Sequence, residues 1–246
     1  MTAWWTETAE AVCRSLATDP AQGLGEDEAR RRLAKHGRNE LVSEPAKSPW
    51  AILREQFTSC MVLLLIAAGL VSGPVLGEWT DAAVILVIVV LNGLLGFRQE
   101  YKAEQAMQAL KRMAVPEVRV RRDGTVRTLS AEELVPGDVF LFEAGDIIPA
   151  DCRLVEAANL QTREAALTGE ALPVHKSTAP VAADDAPLGD RTCMVYRGTA
   201  VTYGRGAGVV VATGMETELG GIATLIQTAE DEETVLQRKL AHLGKV

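Results

Sequence analysis

Three consecutive residues, Thr168, Gly169 and Glu170, bring together a hydroxyl, a glycine and a carboxylate. A carboxylate can accept a proton from water, and glycine lets the backbone approach a ligand that a side chain would exclude. The same tripeptide is also common in ordinary surface turns. Taken alone it therefore leaves two interpretations open, a catalytic loop and a structural turn.

The cysteines and histidines do not follow the spacing of a metal site. The four cysteines are widely scattered: Cys13, Cys60, Cys152 and Cys193. The three histidines are equally isolated: His36, His175 and His242. Without a Cys-x-x-Cys pair, we expect reduced and mostly buried thiols facing the cytosol, with no metal or cofactor site in this chain.

The net charge of −8 bears on the class of partner. A general nucleic-acid-binding protein is expected to carry a basic footprint. We therefore predict no nucleic-acid partner.

Two apolar runs give the strongest physical signal in the sequence. Residues 57–76 contain no charged side chain, and residues 82–97 have Asn92 as their main polar member. A helix needs about 20 residues to cross the hydrocarbon core. With only the short segment 77–81 between them, the runs predict a transmembrane helical hairpin in a lipid bilayer. The alternative is a soluble protein with two buried core helices.

Basic residues flank the two runs but do not occur between them. Lys47 and Arg54 precede the first run, and Arg98 and Lys102 follow the second. The positive-inside rule then places both ends of the hairpin in the cytosol. We predict an integral membrane protein, in the cell membrane, with cytosolic termini.

The second run continues beyond the length that a membrane requires. No Pro or Gly interrupts residues 98–113, and apolar side chains recur there at three- and four-residue spacing. A single helix from Asp81 to Met113 would be about 50 Å long, against a hydrocarbon core of about 30 Å. We therefore expect the helix to leave the membrane as a stalk.

After Pro116 the pattern changes to short alternating segments. Residues 117–122 and 125–129 flank Asp123-Gly124, which is a two-residue hairpin signal. Further strands are predicted at residues 139–142 and 152–155, and two more within 194–213, with Gly204, Arg205 and Gly206 at their turn. Helical spacing resumes at Thr217, and an earlier helix is predicted at 26–36 with Gly37 as its C-cap.

These elements define a fold class and a division of the chain. We expect a membrane α-helical hairpin plus an α+β cytosolic part, whose β-rich domain is antiparallel and jelly-roll-like. The predicted boundaries are N-terminal helices at 1–45, a first transmembrane helix at 57–76, a second with its stalk at 82–113, a β-rich domain at 114–230, and the start of another stalk helix at 231–246.

The order of several short motifs resembles the P-type cation-transporting ATPases, especially their calcium-pump-like branch. The most specific motif is Leu167-Thr168-Gly169-Glu170 with Pro173 just beyond. The supporting motifs span nearly the whole chain: Gly37-Arg38-Asn39-Glu40-Leu41, Asn92 through Gly96, Val135-Pro136-Gly137-Asp138, Gly145-Asp146, Pro149-Ala150-Asp151, Gly198-Thr199 and Thr217-Glu218-Leu219-Gly220. By this resemblance residues 114–230 would be the family's actuator domain.

The resemblance implies catalytic roles for three residues. Glu170 would position and activate the water that hydrolyses an aspartyl phosphate on another domain, Gly169 would admit the phosphate, and Thr168 would support the loop. The family usually has Ser after the Glu, whereas this chain has Ala171. We expect that difference to weaken the hydrolysis step without abolishing it.

The resemblance also implies parts that the 246 residues do not contain. The phosphorylation sequence, the nucleotide-binding domain and the later membrane helices of the family are missing from the sequence. We therefore expect no ATP hydrolysis or ion pumping by this chain alone. The missing domains, in the same pump or a partner chain, would bring ATP and Mg²⁺, and a cation would be transported.

Two functions of different classes follow. The first is the actuator and first membrane hairpin of a cation pump, with calcium as the expected ion. Sodium, potassium or proton transport stays open, and a heavy-metal pump is disfavoured because paired N-terminal cysteines are missing. The alternative is a non-catalytic membrane adaptor or regulator that has kept the fold.

Overall fold

The computed structural model describes residues 3–41, 48–58, 60–73, 77–113 and 115–230. The chain divides into two compact units, one of residues 1–42 with 116–246 and the other of residues 43–115. The predicted stalk helix at 231–246 lies outside the described residues. Residues 74–76, at the end of the first apolar run, lie outside them as well.

The unit of residues 43–115 is helical. Its helices are α3 (Pro49–Thr58), α4 (Cys60–Ser72) and α5 (Trp79–Met113). The 35 residues of α5 form one continuous helix of about 52 Å, as predicted, because no proline interrupts its hydrogen-bond ladder. The prediction of a long helix that continues past the apolar run is confirmed.

One helix in the described part of the chain is long and apolar enough to cross a membrane, and it spans residues 79–110. The 13 residues of α4 are too few for a span by themselves. A second candidate exists only if α3 and residues 62–72 are counted together as one bent span. The structure therefore supports one apolar helix, and the two-span hairpin is not confirmed.

Glycines bring α3 and α5 into close contact. A Cβ on Gly93 would lie only 2.7 Å from the ring of Phe57, and a Cβ on Gly96 would overlap the side chain of Gln56. Because neither glycine carries a side chain, the two helices pack with their backbones near each other.

The unit of residues 1–42 with 116–246 is built on a single sheet. Its strands are β1 (Glu117–Arg122), β2 (Thr125–Ser130), β3 (Val139–Glu143), β4 (Asp151–Arg163), β5 (Val174–His175), β6 (Met194–Val195) and β7 (Ala200–Ala212). They follow the order β2-β1-β3-β7-β4-β5, and β6 also pairs with β4. Every pairing between these strands is antiparallel, which confirms the prediction of an antiparallel β-rich domain.

The hairpin of β1 and β2 forms where the sequence predicts it. Arg122 pairs with Thr125, which leaves Asp123 and Gly124 as a two-residue turn. Both turn residues have positive φ, 48° for Asp123 and 71° for Gly124, as a turn matching the twist of the strands requires.

The predicted turn at Gly204, Arg205 and Gly206 is wrong. All three residues lie inside β7, which runs without reversal from Ala200 to Ala212 against β4. Gly204 has φ of 77° and faces a register shift in β4 where Asn159 also has positive φ, 50°. The positive-φ glycine therefore accommodates a β-bulge between two long strands instead of a chain reversal.

The N-terminal helices α1 (Ala9–Ser15) and α2 (Glu26–His36) share a core with the sheet. The predicted helix at 26–36 is confirmed, and the N–H of Gly37 caps it by donating to the carbonyl of Leu33. Ala29 packs with Val135, and Val12 lies in a cluster with Tyr196 and Val209. Helix α7 (Glu218–Glu230) closes the described chain, as the resumed helical spacing predicts.

Candidate functional site

The Thr-Gly-Glu tripeptide comes shortly after β4, one of the two longest strands of the sheet. Strand β4 ends at Arg163, and a single helical turn, α6 (Ala165–Thr168), follows directly. Gly169 ends that turn in the left-handed conformation, with φ of 78° and ψ of −6°. A Cβ at Gly169 would meet no atom within 4 Å, so the glycine is favoured by its backbone conformation and leaves open space beside it.

The hydroxyl of Thr168 links the start of the loop to its tip. It donates to the backbone carbonyl of Glu164 over 3.1 Å and accepts from the backbone N–H of Glu170 over 3.2 Å. One side chain thus bridges the carbonyl just before α6 and a backbone N–H just beyond the end of α6.

The carboxylate of Glu170 takes no part in these contacts. Glu170 is exposed, and no hydrogen bond or ion pair within the described residues engages its side chain. Ala171, Leu172 and Pro173 beside it are exposed too, and Leu172 is 80% exposed. The tip therefore presents a free carboxylate on a surface that could meet another domain.

The back of the loop is anchored in the core. Leu167 packs against the buried cluster that contains Trp5, Tyr196 and Val209. The turn Leu188–Asp190 lies behind α6, and a Cβ on Gly189 would be in ordinary contact with the methyl group of Thr168, at 3.6 Å. The loop therefore combines an anchored base with an exposed tip.

A buried ion pair, which the sequence analysis missed, lies at the base of the loop. Glu164 Oε1 and Lys176 Nζ are 2.5 Å apart, and neither side chain is exposed. Desolvation by burial lowers the pKa of Lys176, and the facing carboxylate of Glu164 opposes that shift. The only signal in the sequence is their position just before and just after the loop.

Asp151 and Asn39 are further buried polar residues that the sequence analysis did not assign. Asp151, at the start of β4, accepts from the backbone N–H of Arg197 and of Glu218, each over 2.8 Å. The side chain of Asn39 binds four groups from distant segments. Both occur in the motifs that carry the family resemblance, which is the only sequence signal that singles them out.

The described residues contain no candidate metal centre. Among residues 3–41, 48–58, 60–73, 77–113 and 115–230, no group of three or more His, Cys, Asp or Glu could hold a metal ion. The thiols of Cys13, Cys152 and Cys193 are free and buried. Burial raises the pKa of the Cys152 thiol well above its usual value, so Cys152 is a protonated core residue.

Two family models match the chain. A model of the P-type ATPase actuator domain matches residues 112–227, which include the whole sheet and the Thr-Gly-Glu loop. A model of the cation transporter/ATPase N-terminus matches residues 4–72, which include α1 to α4.

Curated relatives match over nearly all of the chain. The calcium-transporting ATPase 1 of Bacillus cereus is 44% identical over 249 residues, covering 100% of this chain and 28% of the relative. The calcium-transporting ATPase of Bacillus subtilis is 48% identical over 93% of this chain and 26% of the relative. The probable cation-transporting ATPase F of Mycobacterium bovis is 45% identical over 96% of this chain and 26% of the relative.

The chain spans about a quarter of the length of these relatives. The two family models cover the N-terminal helices, the antiparallel sheet and the exposed carboxylate loop in the order that the sequence motifs predict, and the relatives also match the long apolar helix between them. The chain therefore belongs to the P-type cation-transporting ATPases and carries the actuator domain of that family.

Proposed function

We propose that this chain supplies the actuator and the first membrane hairpin of an ATP-driven pump, and that calcium is the transported ion. The observation that carries the proposal is the free, exposed carboxylate of Glu170 on a loop whose base is anchored in the core. The names of the Bacillus relatives support calcium, while the Mycobacterium relative is named only for cation transport.

In the proposed reaction, Glu170 acts on the aspartyl phosphate of another domain. The carboxylate accepts a proton from water as the water oxygen attacks phosphorus, and the bond between phosphorus and the aspartyl oxygen breaks. The products are inorganic phosphate and a free aspartate. Gly169 leaves room for the phosphate, and Thr168 holds the backbone of Glu170 in place.

The membrane part of the proposal rests on α5 and on the bent pair formed by α3 and α4. The apolar segment of α5 would be one span, and the bent pair would be the other. The Lys and Arg residues outside both apolar runs favour cytosolic termini in the cell membrane. We also propose that the twisted sheet has the jelly-roll-like wrapping expected from the sequence, with the domain boundaries given there.

ATP and Mg²⁺ belong to the complete pump in this proposal. Both would be held by the other domains of that pump. The chain's partners would be lipid, those domains and the transported cation. No ATPase activity is expected without them.

The proposal is tested by combining this chain with the remaining domains and following the phosphoenzyme. In the complete pump, Glu170→Ala should slow phosphoenzyme decay by about 100-fold or more, because the attacking water loses its base. Phosphoenzyme formation should be unchanged. Asp27→Ala removes an exposed carboxylate of α2 and serves as the matched control, with no expected effect.

Unchanged decay in the Glu170 variant would rule out the catalytic assignment and favour the adaptor alternative. An adaptor should instead lose partner binding when the exposed stalk residues Met107 and Leu110 are replaced. The ion is tested separately, by asking which cation phosphoenzyme formation requires. A chain that stays in solution without detergent would contradict the membrane assignment.

A further inference from the structure

The two ends of the Thr-Gly-Glu loop are joined below the surface. Glu164 directly follows β4, and Lys176 directly follows β5 on the returning chain. The two strands pair through Thr162 and Val174, and the N–H of Lys176 donates to the carbonyl of Leu160 over 2.9 Å. The side chains of Glu164 and Lys176 then meet in an ion pair that closes the base of the loop.

Glu164 is connected to the tip by a short chain of hydrogen bonds. Its backbone carbonyl accepts from the N–H of Leu167, from the N–H of Thr168 and from the hydroxyl of Thr168. The same hydroxyl accepts from the N–H of Glu170. A displacement of Glu164 would therefore be transmitted through Thr168 to the backbone of Glu170.

A hydroxyl group and an aromatic ring lie next to the ion pair. Glu164 Oε1 also accepts from the hydroxyl of Thr162 over 3.0 Å, and Lys176 Nζ lies 5.8 Å from the centre of the Tyr196 ring. Glu164 Oε2 and Lys176 Nζ are both buried without a hydrogen bond of good geometry within the described residues, although Nζ lies close to Oε1. Burying two charges with incomplete hydrogen bonding is a poor way to gain stability, because apolar residues of similar volume often serve as well. A role in fixing geometry accounts for the pair better.

We propose that the Glu164–Lys176 ion pair is a positioning device that holds the Thr-Gly-Glu loop in its hydrolytic geometry. Both members act through Thr168 and Glu170, so they are positioning residues and do not touch the phosphate. The inference rests on the proposed function of Glu170 and adds to it the residues that set the orientation of its loop.

Two variants distinguish an effect on the position of the loop from an effect on the stability of the fold. Lys176→Met leaves an unpaired buried carboxylate, which should lower the melting temperature and slow phosphoenzyme decay. The double variant Glu164→Gln with Lys176→Met removes both charges, and the glutamine oxygen can still accept from Thr162. We expect its melting temperature to return toward that of the unmodified chain, while phosphoenzyme decay in the complete pump remains slower by about tenfold or more.

A second readout does not depend on pumping. Hydrogen exchange of the full chain in detergent should be at least about tenfold faster at residues 165–173 in the double variant, with β7 unchanged as the internal reference. The matched control is the exposed ion pair of Arg119 and Glu143, whose atoms lie 3.0 Å apart. Replacing both by Met and Gln should leave loop exchange and phosphoenzyme decay unchanged.

The outcomes distinguish this inference from the function on which it rests. If Glu170→Ala slows decay but the double variant decays at the normal rate, the positioning role is overturned and the proposed function stands. If Glu170→Ala has no effect, the proposed function fails. Loop exchange equal to that of the unmodified chain would show that the ion pair does not order the loop, and would overturn the inference in either case.

Discussion

The carboxylate of Asp151 shows how a single buried residue connects elements around the sheet. It lies at the start of β4, is 4% exposed, and accepts from the backbone N–H of Arg197 and of Glu218. The second of these donors belongs to the first turn of α7, so Asp151 helps to fix the start of the last described helix.

Burial gives Asp151 an unusual titration. Desolvation raises its pKa from 3.8 to about 6, although the two N–H donors act in the opposite direction. Between about pH 4 and pH 6 the folded chain therefore retains a proton that the unfolded chain has released. The contribution of Asp151 to the free energy of unfolding must fall as the pH rises through this window, by about 3 kcal/mol in total.

The substitution Asp151→Asn tests this pH dependence. Asparagine does not ionise, so the free energy of unfolding of the unmodified chain minus that of the variant should fall by about 2 kcal/mol from pH 4 to pH 7. Urea unfolding in detergent, followed by circular dichroism of the sheet, measures that difference. A pH-independent difference would show that the pKa of Asp151 is the same in both states.

At the scale of elements, the contact between α3 and α5 depends on two glycines. Gly93 is buried where the ring of Phe57 approaches α5, and Gly96 faces Gln56 in the same way. Two helices can approach this closely only where one of them lacks side chains.

Gly93→Leu should separate the two helices. A leucine at this position would occupy the space of the Phe57 ring, and overpacking of this kind costs about 1–3 kcal/mol. The helical signal of the detergent-solubilised chain should then be lost at a lower temperature. Leu94→Ala, at an exposed neighbouring position, is the control and should change the transition much less. Equal transitions in the two variants would contradict this packing.

At the scale of the whole molecule, the side-chain amide of Asn39 binds segments of the sheet unit that follow the helical unit 43–115 in the sequence, whereas Asn39 precedes it. Asn39 Nδ2 donates to the carbonyls of Ala131 and Pro149, over 2.9 and 3.0 Å. Its Oδ1 accepts from the N–H of Gly214 over 2.8 Å and from the guanidinium of Arg197 over 2.6 Å. The side chain uses both donors and both acceptor positions, and it is 3% exposed.

Asn39→Ala should therefore destabilise the unit formed by the N-terminal segment and the sheet. It leaves two carbonyls, one N–H and part of a guanidinium without their partner, at a cost of about 3 kcal/mol or more. Urea unfolding monitored by the sheet signal measures the loss. Arg38→Ala, which removes exposed ion pairs at the adjacent position, should cost less than about 1 kcal/mol. A small effect of the Asn39 variant would mean that water replaces the lost bonds.

The sequence alone determined the features that depend on neighbouring residues. The hairpin at Asp123-Gly124, the helix at 26–36 and the continuous helix through Met113 follow from turn chemistry, capping and unbroken periodicity, which are local properties. Ordered motifs around Leu167 to Glu170 were enough to indicate the family, because they combine several independent local patterns.

Only the tertiary structure decided which residues that are distant in sequence contact each other in the interior. Gly204 looks like a turn in sequence, yet it sits in a β-bulge because the partner strand provides a matching distortion at Asn159. Glu164 and Lys176 look like surface charges until two antiparallel strands bring them together. The role of a buried charge or of a positive-φ glycine depends on the group that faces it. Long-range strand pairing determines which group that is.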